Sequence, residues 1–262
     1  MAIVIIVANQ KGGVGKTNTA INVAVCLSLK GKRTLLTDID PQGNASRVLS
    51  GGRFAFERSS AEIFSEKKLD VSELIEPACD GSPDKEIDNL YLLPANDALS
   101  NAIKIAATRV RRESILANAF KQIDDELDYI VVDCPPNKDL GFQNAVTAAD
   151  IILVPIDGGG DFSLDGIGSM LQSIEELRGE GDDAPVMRVF RSIYDVRKSK
   201  VNNKITKELT EGEMPTLTTK ISDSTQVSQG ILENRAVVKF AKGSVVAGQF
   251  QRLTSEAVAL LE

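Results

Sequence analysis

Ile3-Val4-Ile5-Ile6-Val7-Ala8-Asn9-Gln10-Lys11-Gly12-Gly13-Val14-Gly15-Lys16-Thr17 is the stretch that decides how this chain folds. Ile3 to Val7 is a continuous β-branched run, the pattern of a strand covered on both faces as in parallel sheets. Gly12 to Gly15 form a glycine-rich turn. From Lys16 to Lys30 the chain is rich in Ala, Val and Leu without Pro or Gly, and Gly31 supplies a helix C-cap. Thr34 to Thr37 is a second apolar run, ending in Asp38-Ile39-Asp40. Strand, loop, helix and strand within about forty residues make a βαβ unit.

Outward from this unit the rhythm repeats. Strands are expected at Tyr91 to Leu93, Tyr129 to Val132, Ile151 to Val154, Val186 to Ile193 and Thr216 to Lys220, with helices at Ser163 to Leu177, Val201 to Leu209 and Val245 to Leu261. The architecture that follows is a doubly wound α/β fold, a mostly parallel sheet with helices on both faces. Residues 1–262 are read as one domain. The polar stretch 65–88, with Pro77 and Pro83 and weak periodicity, reads as a surface excursion. The chain starts at its first strand, so no N-terminal helix-turn-helix extension is expected.

Composition limits the chemistry. The 262 residues carry 30 Lys and Arg against 37 Asp and Glu, a formal net charge of -7, with no His and no Trp. Histidine-based nucleophilic triads, a histidine general base and histidine-ligated metal centres are therefore excluded. Cys26, Cys79 and Cys134 are odd in number and far apart, which fits buried thiols in a reducing cytosol better than a disulfide framework. No apolar run approaches the ~18 residues of a membrane span. The opening run lacks a basic leader and reads as a strand, not a signal peptide.

A glycine-rich loop between a strand and a helix aims consecutive backbone N–H groups and a helix N-terminus at one point, which is a cradle for polyphosphate. Lys16 would reach the β- and γ-phosphates and the Thr17 hydroxyl would ligate Mg²⁺. Gln10 stands where the standard G-x-x-x-x-G-K-[ST] pattern has its first glycine, and Lys11 is an additional lysine.

The segment from Gln10 to Thr17 resembles the deviant Walker A box of the ParA/MinD family of P-loop ATPases. Leu35 to Ser46, with Asp38-Ile39-Asp40-Pro41-Gln42-Gly43-Asn44, is similar to the family's second box. Tyr129 to Pro136 is similar to its Walker B strand and switch, and Tyr91 to Asn96 to an intervening strand. The Asp-Pro-Gln-Gly-Asn-Ala form points to the ParA, or partition, branch.

The resemblance implies ATP and Mg²⁺ as cofactors, with Lys11, Gly12, Gly13, Val14, Gly15, Lys16, Thr17 and Asn18 around the nucleotide. Thr17 and, through a water, Asp133 would hold the metal. Asp40 would orient the attacking water, Asp38 being a nearby supporting carboxylate; for both, and for Asp133, a turn or N-cap role is the plain alternative. Lys11 would cross a dimer to the partner's nucleotide, as an arginine finger does, a role worth ~10³ to 10⁵ in rate. A solvated surface lysine is the alternative there.

Between Arg188 and Lys207 stand seven basic residues (Arg188, Arg191, Arg197, Lys198, Lys200, Lys204, Lys207) and one acid, Asp195. On a helix Lys200, Lys204 and Lys207 share one face while Val201, Ile205 and Leu209 form a separate stripe. Such a stripe attracts phosphate backbones without regard to sequence, although a merely solvated helix also fits. Arg197 matches a DNA-gripping arginine of ParA relatives. Ile221-Ser222-Asp223-Ser224-Thr225-Gln226 lacks two arginines that relatives carry there, and Lys104, Arg109, Arg111 and Arg112 form a second basic cluster. The loop around Ser222 and Asp223 is where the family places the base.

Three functions compete. The first is a cytoplasmic, nucleoid-associated ATPase that dimerises on ATP, binds non-specific double-stranded DNA and is released by a ParB-like adaptor, partitioning or positioning a plasmid, chromosome or other cargo. A MinD-like membrane switch needs a cationic, bulky C-terminal helix, which Gly248 to Glu262 does not resemble. Iron-sulfur relatives need paired cysteines, and only Cys134 lies near the site.

Overall fold

β1 (Ile3–Val7) sends Val4 and Ile6 into one apolar cluster and Ile5 and Val7 into another. Its sequence is apolar without alternation because successive side chains leave a strand on opposite faces and here both faces are covered. β5 (Tyr129–Asp133) repeats this, with Ile130 and Val132 on one side and Tyr129 and Val131 on the other. The computed structural model describes residues 1–158, 164–178 and 184–261.

The remaining strands are β2 (Thr34–Asp38), β3 (Glu76–Cys79), β4 (Glu86–Leu93), β6 (Ile151–Ile156), β7 (Val186–Tyr194) and β8 (Thr216–Ser222). They form one sheet in the order β3-β4-β2-β5-β1-β6-β7-β8. Every neighbouring pair is parallel except β3 with β4. The doubly wound, mostly parallel sheet expected from the sequence is the fold observed.

One face is covered by α3 (Ser60–Ser65), α4 (Ala98–Ala106), α5 (Ile115–Phe120), α6 (Leu140–Ala148), α7 (Leu164–Arg178) and α8 (Ser199–Glu211). Phe64, Leu99, Leu116, Phe142, Met170 and Ile205 carry that contact. The other face holds α1 (Lys16–Leu29), α2 (Asn44–Leu49), α9 (Thr225–Leu232), α10 (Val237–Phe240) and α11 (Val245–Val258). There Leu27, Leu49, Val238 and Phe250 pack on the sheet. α1 lies between the sheet and α10 and α11, so Ala20 to Leu27 are buried on every side. Gly31 ends this helix at φ 77°, a left-handed conformation that glycine adopts without strain.

Two expectations need correction. The stretch 65–88 is more than a surface excursion: it lays down the edge strand β3, opens β4 and buries Val71 and Leu74 in the core. β3 is short, antiparallel and contains Pro77, which an edge strand tolerates because one row of its N–H groups has no partner strand. The buried stripe of α8 is Asn202, Ile205 and Leu209, not Val201, Ile205 and Leu209, and Val201 is 38% exposed. Asn202 is held inside by two hydrogen bonds, donating to the Asp195 carbonyl and accepting from Arg191, each at 2.8 Å. The expected helix Ser163 to Leu177 is observed from Leu164; Ser163 itself lies outside the described residues.

Candidate nucleotide-binding site

The loop between β1 and α1 runs past the C-terminal ends of β5 and β6, which flank β1. In an open α/β sheet that is where ligands sit. Gly13 and Gly15 have φ of 76° and 88°, and Gly15 is doubly constrained because a Cβ there would stand 2.8 Å from Ser192 Oγ. Val14 is buried and pins the loop, while Lys11, Gly12 and Gly13 are exposed. Asn9 anchors the start, donating to the Pro155 carbonyl at 2.7 Å and accepting from the Lys11 amide at 2.9 Å.

Lys16 is 7% exposed and donates from Nζ to the Lys11 carbonyl at 3.0 Å. Burial lowers its pKa, and the charges of Asp133, Cys134 and Asp40 pull the other way. Lys11 points elsewhere: its Nζ meets Asp157 Oδ1 at 2.7 Å, just past the end of β6.

Asp133 closes β5 inside this crevice. Its carboxylate is fully buried and neither oxygen accepts a hydrogen bond. Burial, followed by the charge of Asp38, raises its pKa well above the usual range; the Thr17 hydroxyl stands near enough to favour the carboxylate but outside hydrogen-bonding geometry. A buried carboxylate without donors is costly unless a cation completes it. The oxygen donors of Thr17 and Asp133 suit Mg²⁺, which binds through one or two protein oxygens and retained waters. Gln10 Nε2 on the loop and Asn18 Oδ1 on the helix that follows it are likewise buried without partners. Among the described residues there is no cluster of three acidic or thiol groups able to hold a metal alone.

Asp38 is occupied differently. Oδ1 accepts from the Asp40 amide at 3.0 Å, and Oδ2 accepts from the Ser46 amide at 2.8 Å and hydroxyl at 2.7 Å. Burial pushes its pKa up to about 6 against the pull of these bonds. The Ser46 hydroxyl also accepts from the Ala95 amide at 2.8 Å, and Ser60 Oγ donates to the Asp38 carbonyl at 2.8 Å. This clasp joins the ends of β2 and β4 to α2 and α3. Asp40 is half-buried, its Oδ1 accepting from the Gln42 amide at 3.0 Å.

A cavity of about 100 Å³ lies beside the loop, lined by Asn18, Ser192, Ser222 and Asp223 among others. The structure thus brings Lys11, Gly12, Gly13, Val14, Gly15, Lys16, Thr17, Asn18, Asp38, Asp40 and Asp133 to one rim of the sheet. Asp157 and Ser46 belong with them, and sequence reasoning missed both. Asp157 could have been found as an acid just past the strand next to β1.

Residues 2–184 match the AAA domain family. The chain is also 35% identical over 198 residues to the sporulation initiation inhibitor protein Soj of Bacillus subtilis, covering 75% of each chain. The chain belongs to the ParA/MinD family of P-loop ATPases. The chromosome partitioning protein ParA of Caulobacter vibrioides is 34% identical over 199 residues, which are 75% of this chain and 71% of that one. Cobyrinic acid a,c-diamide synthase from Mycobacterium smegmatis, solved with a bound ATP analogue and magnesium, superposes with a TM-score of 0.82 at 25% identity, covering 97% of this chain and 93% of that one.

In this ParA-family chain the five expected DNA residues lie at and along α8. Arg197, Lys198, Lys200, Lys204 and Lys207 are all exposed. Arg197 makes a two-point contact with Asp195, Nε to Oδ1 and Nη2 to Oδ2, each at 2.9 Å, which holds the Asp195 carboxyl down at about 2. Lys204 and Lys207 stand 3.8 and 3.6 Å from Glu208, which is half-buried, and Glu211, and the exposed Lys207–Glu211 pair carries little energetic weight. Arg191 is buried, and Arg188 turns to its neighbour's carbonyl, so neither joins the helical stripe. In the second cluster Arg109 and Arg112 donate to the carbonyls of Ser65 and Ala107, at 2.5 and 2.8 Å. No helix among the described residues is long and apolar enough to cross a membrane.

Proposed function

We propose that this ParA-family chain is a Mg²⁺-dependent ATPase that closes into a homodimer on ATP and binds non-specific double-stranded DNA in that state. A ParB-like or other adaptor stimulates hydrolysis and release, so that a plasmid, chromosome or other cargo is partitioned or positioned in the cytoplasm over the nucleoid. The position of Lys11 carries the reading. It sits on the exposed tip of the phosphate loop and faces Asp157, while Lys16 alone enters its own cradle. A cation placed there is within reach of a second copy docked on this face.

Each residue then has a task. The amides from Gly12 to Thr17 and the Lys16 ammonium bind the phosphates. Thr17 and, through a water, Asp133 would hold Mg²⁺, which would supply charge neutralisation at the phosphoryl group. Asp40 orients the attacking water. Asp38 acts through Asp40, as a positioning residue, because its oxygens are committed to the Asp40 amide and to Ser46. The cavity beside Asn18 and Asp223 takes the base, and the exposed lysines of α8 take the DNA phosphates.

The burial of α11 weighs against a MinD-like membrane switch, since Val246, Phe250 and Leu253 are committed to the core.

Lys11→Ala tests the central assignment. The variant should bind ATP as the parent does yet lose about 10³-fold or more in turnover, together with the ATP-dependent dimer. Normal ATPase activity from this variant, or a parent that stays monomeric at saturating ATP, refutes the proposal.

A further inference from the structure

Arg191 is an unusual residue for the middle of a parallel strand. It is 3% exposed, and its guanidinium makes one hydrogen bond, Nη2 donating to Asn202 Oδ1 at 2.8 Å. Nε and Nη1 are buried without partners. It also lies over the Tyr194 ring, 5.1 Å away, and the Lys220 ammonium lies 4.9 Å from the same ring.

Among the described residues, Asp157 is the carboxylate whose charge reaches this guanidinium. Arg191 pairs in register with Ile156 of β6, the residue before Asp157. A Cβ on Gly158, the residue after it, would stand 3.9 Å from Arg191 Nη2. Yet Asp157 is engaged by Lys11 at 2.7 Å. One carboxylate therefore stands between two cations, one exposed and already paired, the other buried and short of an anion.

We infer that Asp157 is a shared counter-ion: it holds Lys11 at rest and turns to Arg191 when Lys11 leaves for the partner's nucleotide. Arg191 is thus a positioning residue for Lys11. The inference rests on the role proposed above for Lys11. A buried guanidinium without an anion is unfavourable, and so is a carboxylate whose partner has just departed. The exchange resolves both at once, and it biases the molecule toward the state in which Lys11 is extended. Any bias toward that state must appear equally as tighter dimerisation on ATP.

A double-mutant cycle tests it, with ATP affinity, the ATP-dependent dimerisation constant and ATPase rate measured for the parent, Arg191→Met, Asp157→Asn and the double variant. Arg191→Met should keep the parent's ATP affinity and lose about tenfold in dimerisation and turnover. In the Asp157→Asn background the same substitution should change neither by more than about twofold. Arg191→Lys, which preserves a cation, should stay close to the parent and covers the case in which methionine disturbs folding. Equal losses in both backgrounds would mean a merely structural residue and would overturn the inference, as would parental dimerisation by Arg191→Met. In that last case the ATPase reading stands; a parent that never dimerises on ATP removes both.

Discussion

Asp133 and Lys16 are the residues whose chemistry the fold bends most. Both are buried at the phosphate loop, and the carboxylate lacks any donor. A site built for a metal and a polyanion is costly when it holds neither, so function here works against stability. Asp133→Asn should therefore raise the unfolding free energy of the nucleotide-free protein by about 1–2 kcal/mol while shrinking the stabilisation given by ATP with Mg²⁺. Thermal melts with and without the nucleotide decide this. A variant that melts lower than the parent, or that keeps the full ligand-induced rise, would show that the carboxylate is not the unmet group described above.

At the scale of elements, the clasp around Ser46 matters because its one hydroxyl couples β2, β4 and α2, while Ser60 ties α3 to the same aspartate. Ser46→Ala removes a donor to the buried Asp38 and an acceptor for the Ala95 amide. The loss should be roughly 2–4 kcal/mol, read from the urea midpoint, because both groups stay buried. A change below about 0.5 kcal/mol would mean that water replaces the hydroxyl. Such clasps also mark what a sequence conceals. The strands flanking the loop were legible because each is apolar on both faces, and the loop was legible because glycines and lysines at fixed spacing follow β1. β3 was not, being four residues long with Pro77 inside it. The inner face of α8 was misread at one position because Asn202 is buried by hydrogen bonds with Asp195 and Arg191, which no hydrophobic pattern records. Asp38 read as a supporting carboxylate, but its bonds to Ser46 pair residues on separate elements, and spacing alone gives no sign of them.

Across the whole molecule the charge is uneven. The chain is acidic overall, yet α8 presents Lys200, Lys204 and Lys207 on one exposed face. If that face holds DNA, replacing all three with alanine should weaken retention and flatten the plot of log affinity against log salt by about 2–3 units, near 0.9 for each phosphate that is no longer neutralised. An unchanged slope would move the DNA surface elsewhere, with the cluster around Lys104 and Arg111 the next place to look. Asp195→Ala is a useful companion, since it frees Arg197 from its carboxylate and should tighten binding.

β1 lies well inside the sheet, with four strands on one side and three on the other. The β3 margin, remote from the base pocket at the end of β8, can fray before the nucleotide loop feels it. Proteolytic nicking near β3 should consequently begin while the purine and its phosphates are still gripped, so that the last part of this protein to come apart is the part that holds its fuel.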